Sequence, residues 1–148
     1  MKKMRMMLVD DEERFLSTTQ KLLTKKGYDV VTASSGTEAL EIIRVQNIHV
    51  VILDVKMPGM DGNATLKEIK RQVPLVEVIM LTGHATMESA IDGLKSGAFD
   101  YLMKPVDIDI IIQKAEEAFE KRQGQEEKIR VAQMRKIIKS PSEIIRET

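Results

Sequence analysis

The sequence predicts an α/β domain: a doubly wound, five-stranded parallel sheet with helices on both faces. Three observations predict it. Short apolar runs alternate five times with segments whose apolar residues recur at helical spacing. The runs are apolar almost throughout, as strands buried on both faces are, rather than alternating with polar residues. Turn formers such as Gly27 and the "PGMDG" at 58–62 separate the segments. A strand–helix–strand alternation of this kind implies a parallel sheet with right-handed crossovers.

Taken in order, "MRMMLVD" (4–10) reads as the first strand. Residues 12–26 follow as a helix with Phe15, Leu16, Thr19, Leu22 and Leu23 on one face, ending near Gly27. "YDVVTA" (28–33) is the second strand, and Gly36 and Thr37 open a helix that carries Ala39, Leu40, Ile43 and Val45. "IHVVILD" (48–54) is the third strand, followed by a short helix over 63–71. "VEVIML" (76–81) is the fourth strand; residues 86–96 are helical and Gly97 is a natural C-terminal stop. "AFDYLMK" (98–104) is the fifth strand, and "DIDIIIQKAEEAFEKR" (107–122) is an amphipathic helix.

The bulk numbers exclude several function classes. A chain of 148 residues with 43% apolar and 31% charged residues suits one packed domain with a modest extension. Lys plus Arg and Asp plus Glu each number 23, so there is no general basic surface for nucleic acid. Absence of cysteine excludes disulfides and thiolate metal sites and is compatible with the reducing cytoplasm. The N-terminal apolar run meets Asp10 before any small-residue cleavage site, so no signal peptide is read. No apolar run approaches the ~20 residues that cross a bilayer.

The chemistry collects where strands end. In open α/β sheets, ligands sit beyond the carboxyl ends of the strands. Asp10 and Asp11 follow strand one, Asp54 ends strand three, Thr82 follows strand four and Lys104 ends strand five. Parallel strands bring these positions to one rim. Two carboxylates ~4 Å apart repel by roughly 4 kcal/mol at an effective dielectric near 20, so three acids there require a cation. Oxygen donors with no histidine or cysteine beside them favour a hard ion, magnesium above all. Each residue taken singly has a plainer reading. Asp10 and Asp11 could cap the first helix with Glu13 closing a capping box, Asp54 could be a strand-end acid, Thr82 a loop hydroxyl and Lys104 a solvated lysine. Their joint placement on four strand ends is what argues for a site.

The stretches "LVDDEERF", "VILDVKMPGMDG" and "LTGHATMESAIDGLKSGAFDYLMKP" resemble, in this order, the receiver domain of two-component response regulators, over roughly residues 4–122. The third stretch is most similar to receivers of the sigma-54-dependent type. The resemblance implies the flavodoxin-like strand order 2-1-3-4-5. It implies that Asp54 accepts a phosphoryl group from a sensor histidine kinase. Asp10, Asp11, Asp54 and the backbone carbonyl of Lys56 would hold magnesium, while Thr82 and Lys104 bind phosphoryl oxygens. It further implies that Tyr101 switches together with Thr82 and that Lys56 and His84 tune the lifetime of the phosphate. The Lys104–Pro105 bond is implied to be cis. The chain would then be a phosphoacceptor rather than an enzyme, cytoplasmic, without direct contact to nucleic acid or membrane, and able to pair through its fourth helix, fifth strand and fifth helix. On residues alone Tyr101 reads equally as a half-buried core tyrosine, and Gly93 inside the fourth helix reads as a weak point or as a close-packing site.

Two other readings of the fold fail on particular residues. Flavodoxins carry a hydroxyl-rich phosphate loop after strand one, where this chain has "DDEERF". Aspartate-nucleophile phosphatases place a second acid two residues after the first, where this chain has Lys56. A receiver-like scaffold that is never phosphorylated stays open as an alternative, against which the complete acid–threonine–lysine set speaks.

The receiver resemblance divides the chain into a domain over 1–122 and a charged helical linker or tail over 123–148. Ile129, Ala132 and Lys136 weakly continue the apolar stripe of the preceding helix. "SPSE" at 140–143 predicts a new helix start, with Ser140 as cap and Pro141 at the first position. A helix that short is unstable alone, so the tail is expected to dock or to belong to a longer regulator.

Overall fold

The computed structural model describes residues 3–83 and 87–147. Five strands, β1 (Arg5–Val9), β2 (Asp29–Ala33), β3 (Val50–Leu53), β4 (Glu77–Thr82) and β5 (Asp100–Met103), form one parallel sheet in the order β2-β1-β3-β4-β5. The helices are α1 (Glu13–Lys25), α2 (Gly36–Val45), α3 (Gly62–Gln72), α4 (Met87–Lys95) and α5 (Ile108–Glu147). The predicted fold class and strand order are those observed.

Alternation along each strand sorts the core into two layers. Met7, Val9, Val51, Leu53, Val78 and Met80 face Ala39, Leu40 and Ile43 of α2 and Leu66 and Ile69 of α3. Met6, Leu8, Val50, Ile52, Ile79 and Leu81 face Leu16 and Leu23 of α1 and Ile111, Ala115 and Ala118 of α5. A period of two along strands covered on both sides produces this division. Two apolar residues assigned to buried helix faces lie outside instead: Leu22 is 44% and Val45 80% exposed. Leu22 borders the buried stripe of α1, and Val45 is the last residue of α2, where the helix leaves the sheet.

Glycine ends two helices as predicted. Gly27 (φ +94°) and Gly97 (φ +106°) take left-handed conformations two residues past the last residues of α1 and α4, where a side chain would be strained.

The tail departs from expectation. α5 is one helix of 40 residues and its backbone passes through Ser140 and Pro141 without a new start. Proline's fixed φ suits a helix; only its missing N–H and its ring oppose one. At the base of the sheet α5 is fastened by polar contacts. Arg122 is buried and its Nη1 donates to the Ile48 carbonyl at 2.7 Å. The Lys121 ammonium stands 3.5 Å from the carboxylate of Glu77, a residue 1% exposed. The His49 ring meets Phe119 edge-on at 5.1 Å. Among the described residues no helix is long and apolar enough to cross a membrane.

Candidate functional site

Register builds the site. Val9 of β1 is paired with Leu53 of β3, so the next residues, Asp10 and Asp54, leave adjacent strands at the same level. The Asp54 N–H donates to the Val9 carbonyl at 2.9 Å and the Asp10 N–H to the Ala33 carbonyl at 3.1 Å, which extends the ladder by one residue on each strand. The carboxylates of Asp10, Asp11 and Asp54 present oxygens that all lie within 4.8 Å of one another. Asp10 is 1% and Asp54 7% exposed, while Asp11 faces solvent.

Asp10 is held from two sides. Its Oδ1 accepts the Glu12 N–H at 2.9 Å and its Oδ2 accepts from the Lys104 ammonium at 2.5 Å. The capping alternative for Asp10 and Asp11 does not apply: α1 begins at Glu13, Glu12 occupies the N-cap position, and no side chain caps the helix. Lys104 is placed by its backbone, whose N–H donates to the Thr82 carbonyl at 2.8 Å and so joins the end of β5 to the end of β4. Its ammonium also stands 3.8 Å from Glu12 and 4.2 Å above the centre of the Phe15 ring. Thr82 is fully buried at the end of β4.

Electrostatics follow from this crowding. Burial pushes the Asp54 carboxyl above the ordinary carboxylate range, and the neighbouring charge of Asp10 pushes the same way. The Lys104 ammonium and the backbone N–H groups of Lys56 and Val55 pull it down without prevailing. For Lys104, burial is the strongest single influence and lowers its pKa. The hydrogen bond to Asp10, with the charges of Asp10, Asp54 and Glu12, outweighs it, so the ammonium is held above its ordinary value. The rim thus carries more negative charge than one lysine offsets. With oxygens as the only donors among the described residues, the cluster fits a hard divalent cation such as magnesium.

The family model for the response regulator receiver domain matches residues 6–116. The chain belongs to this family. The Escherichia coli (strain K12) transcriptional regulatory protein ZraR is 46% identical over 103 residues, 70% of this chain and 23% of that protein. The Klebsiella pneumoniae DNA-binding transcriptional regulator NtrC is 37% identical over 120 residues, 81% of this chain and 26% of that protein. The receiver therefore spans about a quarter of the length of these relatives. Among solved structures, a response regulator receiver domain from Clostridium thermocellum superposes with TM-score 0.76 at 39% identity, covering 81% of this chain and 97% of that one. NtrX from Brucella abortus gives 0.80 at 32% identity, covering 88% of this chain and 30% of that one.

The remaining sequence candidates of the receiver fall as follows. The Lys104–Pro105 bond is cis. The side chain of Lys56 is exposed, while its backbone N–H serves the Asp54 carboxylate. Tyr101 is half-buried on the face opposite Lys104, against the α2–α3 layer, as the three-residue spacing predicts. A Cβ on Gly93 of α4 would stand 3.6 Å from the Tyr101 ring and from Met80, an ordinary contact, so Gly93 is near the ring without being required by it. His84 lies outside the described residues.

Sequence reasoning missed two contributors to the site. A Cβ on Gly62 would stand 2.2 Å from the Asp54 carbonyl oxygen and 2.6 Å from the Cα of Val55. The Gly62 N–H donates to the Val55 carbonyl at 2.8 Å, so the start of α3 is pressed onto the backbone that presents Asp54. The "DG" at 61–62 carried the signal but reads as turn chemistry alone. Phe15, read as a core residue of α1, lies beneath the Lys104 ammonium.

Proposed function

We propose that this receiver is a phosphoacceptor switch of a two-component system, in which Asp54 takes a phosphoryl group from a phosphohistidine on a sensor kinase. The observation that carries the reading is one buried carboxylate, Asp54, flanked by two further acids, with the neighbouring Asp10 bonded to a lysine from the far strand. An Asp54 oxygen attacks phosphorus, the phosphorus–nitrogen bond of the donor breaks, and its electron pair returns to the imidazole, leaving an aspartyl phosphate. Such transfers need positioning and charge neutralisation more than covalent help from the protein. The β3 backbone, pinned by Val9 and Gly62, does the positioning. Asp10, Asp11, Asp54 and the Lys56 carbonyl would hold magnesium, which when bound supplies the positive charge that lets phosphoryl oxygens approach three acids. Lys104 and the Thr82 hydroxyl receive phosphoryl oxygens.

Phosphorylation then biases two arrangements of the α4–β5–α5 surface, with Thr82 and Tyr101 as the moving parts. Near-complete switching requires roughly 5.5 kcal/mol of differential stabilisation. Exposed Ile91, Leu94 and Met103 on α4 and β5 make that surface a candidate for homodimer contact. Lys56 and His84 would set the lifetime of the phosphate. The likeness to ZraR and NtrC supports control of transcription of the sigma-54-dependent kind, in the cytoplasm, through parts other than this segment. The role is that of a phosphoryl acceptor, not of an enzyme with a separate substrate.

The test is acetyl phosphate with magnesium. Wild type should acquire one phosphoryl group labile to base and to hydroxylamine, as an acyl phosphate is, Asp54→Ala none, and Asp11→Ala should bind magnesium more weakly. Equal labelling of Asp54→Ala would remove Asp54 from the role.

A further inference from the structure

Lys104 has a conflict of partners. Its ammonium is bonded to Asp10 Oδ2 at 2.5 Å, yet the proposed reaction asks it to meet an incoming phosphoryl oxygen while Asp10 serves a metal ion. A lysine carries its charge on a flexible four-carbon stem and, released from a carboxylate, tends toward water. Besides Glu12, whose carboxylate stands 3.8 Å away on a side chain 68% exposed, the ammonium has a neighbour that takes no part in this exchange. The ring of Phe15, in the first turn of α1, lies 4.2 Å below it, well within the ~6 Å over which an ammonium is attracted to an aromatic face. The Lys104 side chain is only 17% exposed, and the attraction strengthens as water is excluded. Phe15 is itself half-buried and packed against the α1–α5 layer of the core, which anchors the ring from below. A ring face neither titrates nor demands one hydrogen-bond direction, so the ammonium can turn from one oxygen to another above it.

We propose that Phe15 is a positioning residue for phosphoryl transfer: its ring keeps the Lys104 ammonium at the rim while that ammonium exchanges Asp10 for a phosphoryl oxygen. This rests on the reading of Asp54 as acceptor and Lys104 as phosphoryl ligand. It separates two roles within "DDEERF": Asp10 and Asp11 serve the cation site while Phe15 serves the lysine.

The experiment uses the full chain with Phe15→Leu, Phe15→Trp, and 3,4,5-trifluorophenylalanine placed at position 15, which keeps ring volume nearly constant while removing the negative face. Three quantities are read: the second-order rate constant of Asp54 phosphorylation by acetyl phosphate at saturating magnesium, the proton shift of the Lys104 ε-methylene, and the urea midpoint. We expect the rate constant to fall about three- to tenfold in the Leu and trifluoro proteins and to be kept in Trp. The ε-methylene resonance should be moved upfield by the ring in wild type and relax to its ordinary position in Phe15→Leu. The trifluoro protein should lose only the small stability that the ring attraction itself supplies and keep a urea midpoint well above that of Phe15→Leu, which separates positioning from core packing. A trifluoro protein that reacts at the wild-type rate, or Leu and Trp proteins that react equally, would overturn the role of Phe15 and leave the acceptor reading intact. A wild-type protein unlabelled at Asp54 would overturn both.

Discussion

Replacing Asp54 by Asn should stabilise the metal-free protein. Asn keeps an oxygen to accept the Lys56 and Val55 N–H groups and removes the charge that burial and Asp10 disfavour. Carboxylate oxygens of Asp10 and Asp54 lie within 4.8 Å, which corresponds to a repulsion of roughly 3.5 kcal/mol at an effective dielectric near 20. Loss of the Lys104 attraction offsets part of this, leaving a gain of about 1–2 kcal/mol, or ~2–8 °C in Tm for a chain of this size. The pH dependence has a definite sign. Because the folded Asp54 pKa is raised, the folded state binds more protons than the unfolded chain as pH climbs from the ordinary carboxylate value to the raised one. Wild type therefore loses stability with rising pH across that window, and the advantage of Asp54→Asn should open there and stay level above it. Urea denaturation from pH 4.5 to 8 with a chelator reads this. Repeating it with magnesium should shrink or invert the difference, since an ion at one hundred times its Kd adds about 2.7 kcal/mol to wild type and less to a variant lacking one ligand. A metal-free Asp54→Asn protein no more stable than wild type at pH 7 would refute the claim that the rim carries uncompensated negative charge.

Three further outcomes are expected. Gly62→Ala should cost at least ~3 kcal/mol in urea denaturation and slow Asp54 labelling, because its Cβ meets backbone rather than a side chain that can move. Gly124→Ala, with nothing within 4 Å of the new methyl, should raise stability by about 0.5–1 kcal/mol and increase helical circular dichroism. Arg122→Met should leave the buried Ile48 carbonyl without its donor, cost about 1–3 kcal/mol, and speed amide exchange in α5 around Phe119–Glu126.

Much of this was readable because it depends on periodicity and register. The run Val50–Leu53 announces a strand buried on both faces, and once strands one and three are neighbours, Asp10 and Asp54 must meet. What was not readable depends on contacts between residues distant in sequence. Glu77 looks like a polar interruption in "VEVIML", and nothing local says that Lys70 and Lys121 approach it to 3.9 and 3.5 Å. Phe15 belongs to the apolar stripe of α1 by spacing, and only the fold brings residue 104 above it. The length of α5 escaped for another reason. Over residues 123–138 its side chains are exposed or half-exposed, so no buried stripe marks that part. Good helix formers and pairs such as Arg130 with Glu127 support it locally.

The continuity of α5 has a mechanical consequence. At 1.5 Å per residue its 40 residues measure roughly 60 Å, and the part beyond Arg122 projects nearly 40 Å from the sheet. Bolted at its fulcrum by Arg122 and Lys121, this rod turns a base rotation of about 5° into a sweep of about 3 Å at its tip, a lever arm that magnifies sub-ångström rearrangements near the strands.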